Sequence, residues 1–224
     1  MRNVNSILAL LKREFLVTFR NLSDILSIVL FFLLGIIIFV FSVGPNKEII
    51  NEISIGIIWA LILLSNTLSS PKFFQSDFDD NSIILFFISG ISYEVIVILK
   101  VIIFWLCLQI PFLFAILLSM ILLNIEFVNV KIIFLSFLLG TPTITCISSI
   151  SGSMNLLNNR NFAIGSLIIM ILSIPVIIFS ISIIDSPQNI IDAQINILLG
   201  IMLFFISITP WICAACIKLG IQNK

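Results

Sequence analysis

Ile25-Leu-Ser-Ile-Val-Leu-Phe-Phe-Leu-Leu-Gly-Ile-Ile-Ile-Phe-Val-Phe-Ser-Val43 is a run of nineteen residues without one charge. A bilayer core takes about 20 apolar residues to cross as a helix, so this stretch is long enough to span it. Working outward, five more stretches of the same kind follow. They are Ile53–Leu68 (extended by Ser69 and Ser70), Val101–Leu123, Ile132–Gly152, Phe162–Ile184 and Ile195–Ile217, and none contains Asp, Glu, Lys or Arg. The links between them are 44–52, 69–100, 124–131, 153–161 and 185–194. The composition agrees: 60% of the 224 residues are hydrophobic and 10% charged, where a soluble domain has about a quarter charged. With a mean hydropathy of +1.29, a chain of this size cannot hide its apolar surface inside itself. A soluble enzyme, a nucleic-acid binder and a disordered chain are excluded. The fold class expected is an all-α membrane protein with six transmembrane helices.

Six crossings put both ends on one side. With the N-terminus in the cytoplasm, Arg2, Lys12, Arg13, Arg20, Lys72, Lys100, Arg160, Lys218 and Lys224 lie inside, against Lys47 and Lys131 outside. Acidic residues divide almost evenly, so the asymmetry belongs to the basic residues, as the positive-inside rule requires. Residues 1–22 do not read as a cleaved leader, because Lys12, Arg13, Glu14 and Arg20 interrupt any apolar core. Val4, Ile7, Leu8, Leu11, Phe15, Phe19 and Leu22 instead share one helical face. That pattern predicts an amphipathic helix over 1–22, lying at the membrane interface, ahead of a transmembrane domain over 23–224.

The chain offers little chemistry. It has no histidine, which removes imidazole acid–base work and His ligation of metal or haem. The apolar stretches hold no ionisable group of the kind a proton-coupled carrier uses. No lysine follows a glycine, so there is no Walker A loop. Cys213-Ala-Ala-Cys216 has the C-x-x-C spacing but lies in an apolar helix, with no following His and no βαβ context, and is discounted as a redox or haem-attachment motif. The expectation is no catalytic residue, no metal and no cofactor on this chain; a partner supplies any energy.

The inside loop 71–94 stands out. Pro71-Lys-Phe-Phe-Gln-Ser-Asp-Phe-Asp-Asp-Asn-Ser82 mixes aromatics with carboxylates. Phe74 and Phe78 are four apart and share a helical face, so an aromatic ridge with Asp77, Asp79 and Asp80 beside it fits two readings equally: a helix that docks on a basic partner, or a solvated loop whose Phe residues dip into lipid headgroups. Ser89-Gly90 breaks this segment, and a further helix is expected from about Ser92 through Lys100 into the third crossing. Pro111, Pro142, Pro175 and Pro210 fall inside crossings and are read as tolerated kinks. The fourth crossing is rich in Thr and Ser and reads as a packing or subunit-interface helix. Asn66 and Gln109 read as ordinary helix–helix hydrogen-bond residues.

Taken together, several segments resemble the CcmB family, the permease-like membrane subunits of cytochrome c maturation. They are Ser42-Val-Gly-Pro45, Gly56-Ile-Ile-Trp59, Leu63-Leu-Ser65, Phe74 with Asp77 through Ser82, Leu138-Leu-Gly-Thr-Pro-Thr143, Ile174-Pro175 with Ile178-Phe179, and Pro210. Asn81 stands where the family tends to have Gly, Ile55 where it has Pro, and Pro71-Lys72 where it has an acidic-basic pair. The resemblance covers nearly the whole chain and implies an ABC-2-type permease-like architecture in a bacterial inner membrane. It implies helix packing through Gly56, Trp59, Gly140, Thr141, Pro142 and Thr143. It also implies coupling through Phe74, Asp77, Phe78, Asp79 and Asp80 to an ABC ATPase subunit (CcmA-like) that holds the ATP.

Further implied partners are a CcmC-like haem-handling membrane protein, a CcmD-like small subunit, a CcmE-like periplasmic haem chaperone and membrane lipid, with no nucleic acid. Two docking elements per ABC unit imply a homodimer or pairing with a related membrane subunit. Haem would be handled by the complex rather than ligated here, with ATP hydrolysis releasing the haem-loaded chaperone. A generic ABC-2 exporter of glycan or drug, and a scaffold that transports nothing, are the competing readings.

Overall fold

The structure is a computed structural model and describes residues 2–44, 46–70, 72–125, 130–157 and 162–223. Nine helices make up the described residues: α1 (Arg2–Arg20), α2 (Leu22–Val43), α3 (Lys47–Ser69), α4 (Lys72–Asp79), α5 (Ser82–Ile88), α6 (Tyr93–Leu122), α7 (Val130–Asn155), α8 (Phe162–Asp185) and α9 (Gln188–Gln222). Helices α2, α3, α6, α7, α8 and α9 are long and apolar enough to cross a membrane, matching the six stretches read from sequence. Several run past their apolar stretch. α6 begins at Tyr93 rather than at Val101, and α9 at Gln188 rather than at Ile195. The backbone needs its i→i−4 bonds on both sides of the membrane boundary, so a change of polarity alone does not end a helix.

Packing sets the layout. α2 lies on α3, α3 on α8, α8 on α9, α9 on α6, and α6 returns to α2, closing a ring of five. α7 runs through it, against α3, α6, α8 and α9. From Gly140 to Ser153 nearly every residue of α7 is buried, and Ser148, Ser149, Ser151 and Ser153 are fully covered. Only its first half opens outward, through Phe134, Leu135 and Leu138. A helix surrounded on all sides must be thin, which explains its run of Gly, Ser and Thr.

Two contacts show how thin. A Cβ on Gly140 would lie 2.3 Å from the Trp59 ring, and one on Gly152 would lie 2.6 Å from the backbone oxygen of Ser70. Gly56, by contrast, has nothing within 4 Å of the place a Cβ would take. The expectation that it mediates close packing is corrected: the contact belongs to Trp59, which is one turn on and buried.

The loop 71–94 resolves into two short helices. α4 and α5 are joined through Asn81, which sits in the left-handed region at φ 57° and ψ 14°. Glycine suits that conformation best and asparagine is the usual substitute. Ser89-Gly90 forms the next turn, with Gly90 at φ 91°, and Ser92 precedes the first turn of α6 as expected.

Candidate functional site

At the end of the bundle where α3 hands over to α4, four charged side chains meet. Arg13 and Glu14 come from α1, Asp77 from α4 and Lys100 from α6. Arg13 Nη1 donates to Glu14 Oε1 at 2.5 Å and Arg13 Nη2 to Asp77 Oδ1 at 2.6 Å. Lys100 Nζ lies 3.1 Å from Glu14 Oε2 and pairs also with Asp77 Oδ2. Glu14 and Asp77 are each only 3% exposed and Lys100 8%. Two cations and two anions balance, which is the condition under which buried charges are tolerated. Burial works against the Arg13 charge, but the Asp77 and Glu14 carboxylates outweigh it and raise the guanidinium pKa further.

Aromatic rings close the site. The Arg13 guanidinium lies 5.0 Å from the centre of the Phe86 ring of α5, and Lys100 Nζ 6.0 Å from that of Phe74. Beside the cluster a cavity of about 260 Å³ is walled partly by Thr18, Asn21, Asp24 and Ser76. This polar wall reduces the desolvation the charges would suffer in a wholly apolar site.

The cluster explains how α1 sits. Leu8, Phe15, Leu16, Phe19 and Leu22 point away from the protein, while Leu10 and Glu14 are buried against it. The apolar face read from sequence is therefore the open one, and part of the charged face is the one that docks on α6. Val4 belongs to the same expectation, but its side chain lies outside the described residues.

α4 itself is turned the opposite way from expectation. Phe74 is fully buried and Phe78 8% exposed, so neither forms a ridge open to a partner. Phe73 packs at a tilt against Phe74 and against Phe104 of α6, with ring centroids 5.0 and 4.8 Å apart. Phe78 lies against the backbone of Gly220 in α9. Ser70 Oγ and Ser151 Oγ share a hydrogen bond of 3.0 Å, pinning the start of α4 to α7. The aromatic face is apolar enough to be buried in its own bundle. Asp77 is occupied by Arg13 and Lys100. Of the five residues expected to couple, only Asp79 and Asp80 are exposed.

The remaining expected packing residues lie in or beside α7. Thr141 Oγ1 accepts from Trp105 Nε1 at 3.1 Å and lies 3.0 Å from Gln109 Oε1. Thr143 Oγ1 donates to Leu139 O at 3.1 Å. Pro142 is half-buried and faces an apolar groove shared with Trp105 and Pro210. Sequence reasoning missed Arg13, Glu14 and Lys100 as a unit. A signal existed: Lys100 has five apolar residues on either side, an uncommon setting for an unpaired lysine. Its partners, Asp77 and Glu14, lie 23 and 86 positions away on other helices and had no local signature.

The comparisons agree with this architecture. The family model described as CcmB protein matches residues 5–220. Heme exporter protein B of Haemophilus influenzae is 29% identical over 219 residues, which is 96% of this chain and 99% of that one. Heme exporter protein B of Pseudomonas aeruginosa is 29% identical over 175 residues, 78% of each chain. The protein of the same name from Bradyrhizobium diazoefficiens is 28% identical over 167 residues, 75% of each. With a model that matches almost end to end and six membrane-length helices, the chain belongs to the CcmB family, as a multi-pass helical membrane subunit.

Proposed function

We propose that this subunit serves haem delivery in c-type cytochrome biogenesis by carrying mechanical force, with ATP hydrolysed in a partner subunit. The names of the relatives support haem as the cargo. One observation carries the mechanical reading: α4 is fastened at once to α1, α6, α7 and α9. Arg13 and Lys100 hold Asp77, Phe73 meets Phe104 and packs beside Gly152 of α7, and Phe78 lies beside Gly220. A push on α4 therefore reaches four helices without first bending a loop, which suits a rigid transmission element.

On this reading the cytoplasmic contact is the tip at Asp79 and Asp80, whose charges select a basic groove on an ABC ATPase. The chain lies in a bacterial inner membrane with both ends inside, and its lipid-facing α1 rests at the interface. Two copies, or one copy and a related membrane subunit, engage two ATPase subunits. A haem-handling membrane protein, a small membrane subunit and a periplasmic haem chaperone complete the set. Hydrolysis releases the loaded chaperone rather than moving haem through this bundle.

The test is affinity purification from native membranes. Asp79→Lys with Asp80→Lys is expected to lower ATPase recovery about tenfold, equivalent to about 1.4 kcal/mol, and to abolish haem attachment to c-type cytochromes. Unchanged recovery overturns the docking site. Intact c-type cytochromes in a deletion strain overturn the cargo.

A further inference from the structure

We propose that Gln109, Asn66 and Thr145 hold one buried water that ties α3, α6 and α7 together beside the prolines of α6 and α7. Gln109 is 8% exposed and its Nε2 has no hydrogen-bond partner. Its other end is engaged: Oε1 lies 3.0 Å from Thr141 Oγ1. Between the three helices is a small space of about 10 Å³, whose polar wall is Asn66, Trp105, Gln109, Thr141 and Thr145. That is about one water, and a buried water needs two to four polar partners.

The donors and acceptors match. The water accepts from Gln109 Nε2 and donates to Asn66 Oδ1 and Thr145 Oγ1. Asn66 already gives its own Nδ2 proton to Ile62 O at 2.9 Å, and Thr145 its hydroxyl proton to Thr141 O at 2.9 Å. Both therefore present acceptor oxygens. Rotating the Gln109 amide end for end changes little. One end still meets Thr141 and the other still faces the space, and a water can accept or donate.

The position gives the water a use. Gln109 is two residues from Pro111, and Thr141 adjoins Pro142. Each proline deletes one backbone hydrogen bond from its helix, so α6 and α7 bend most readily near this level. Thr141 already ties α7 to α6 directly, through Trp105 and Gln109, and the water adds Asn66 of α3 to that joint. A water can exchange partners while the helices tilt, which makes the joint hydrated and adjustable. This assignment does not depend on the cargo or on the ATPase.

The test uses the full chain in lipid nanodiscs with nitrogen-15 glutamine. The Gln109 side-chain NH₂ pair is identified by its loss in Gln109→Met, or by its shift in Gln109→Asn should the first variant not fold. A cross-peak between that pair and water is expected. The Gln109→Met variant should also unfold at a lower temperature, because a bridging partner is lost while Thr141 can turn its proton to Phe137 O, 2.8 Å away. A visible pair with no water cross-peak overturns the proposal. So does a raised midpoint in Gln109→Met, the result expected when a dry, unpartnered amide is removed.

Discussion

The second half of α7 and the inward face of the short helix α4 both bury polar groups, yet those groups are stabilised in opposite ways. In α7 the hydroxyls of Thr143, Thr145, Ser149 and Ser153 bond carbonyls three or four residues back in the same helix. Each such group satisfies itself locally wherever the helix goes. In α4, Asp77 is satisfied only by Arg13 and Lys100, from two other helices. A carboxylate inside a helix has no free backbone donor nearby, so its burial depends on the tertiary assembly. Polarity in the central helix is thus a packing device, while polarity at the membrane-to-cytoplasm junction is a fastening.

Breaking the fastening should have the larger effect. Lys100→Met leaves two buried carboxylates facing one guanidinium, and is expected to cost about 3–5 kcal/mol. Thermal unfolding in lipid or detergent measures it. The double variant Lys100→Met with Asp77→Asn restores charge balance and should recover a large part of the loss. A double variant no more stable than the single one would show that the ion pairs are incidental.

The packing device comes next. Gly152→Ala places a methyl group 2.6 Å from a backbone oxygen, which no rotamer change relieves, and overpacking of that kind costs about 1–3 kcal/mol. Gly56→Ala meets nothing, and is expected to raise stability by about 0.5–1 kcal/mol through helix propensity. The two variants make the same change with opposite sign, and a shared sign would refute the packing described for α7. Smallest of all is Ser149→Ala. Its hydroxyl bonds Cys146 O at 2.7 Å within its own helix, and its loss should change stability by about 1 kcal/mol or less. A cost near that of Lys100→Met would erase the contrast between the two regions.

Much of this was legible beforehand in particular residues. The six apolar stretches, the turn at Ser89-Gly90 and the small-residue fourth crossing all appear in the structure where they were expected. Asn81, read as a departure from a family glycine, proves to need the conformation that glycine favours. Of the residues expected to face a partner, Phe74, Phe78 and Asp77 are buried in the chain's own bundle, while Asp79 and Asp80 are exposed. Helical periodicity shows that residues share a face; it carries no information on what that face meets.

Membrane insertion and helix number follow from amino-acid order because transfer into lipid is a sum over each segment's own residues, whatever its neighbours do. The ring of five around α7, the inward turn of α4 and the four-charge cluster are pairwise properties of segments far apart in the chain. Arg13 and Asp77 are 64 positions apart, and the attraction that makes their burial tolerable exists only when folding has brought them within hydrogen-bonding distance.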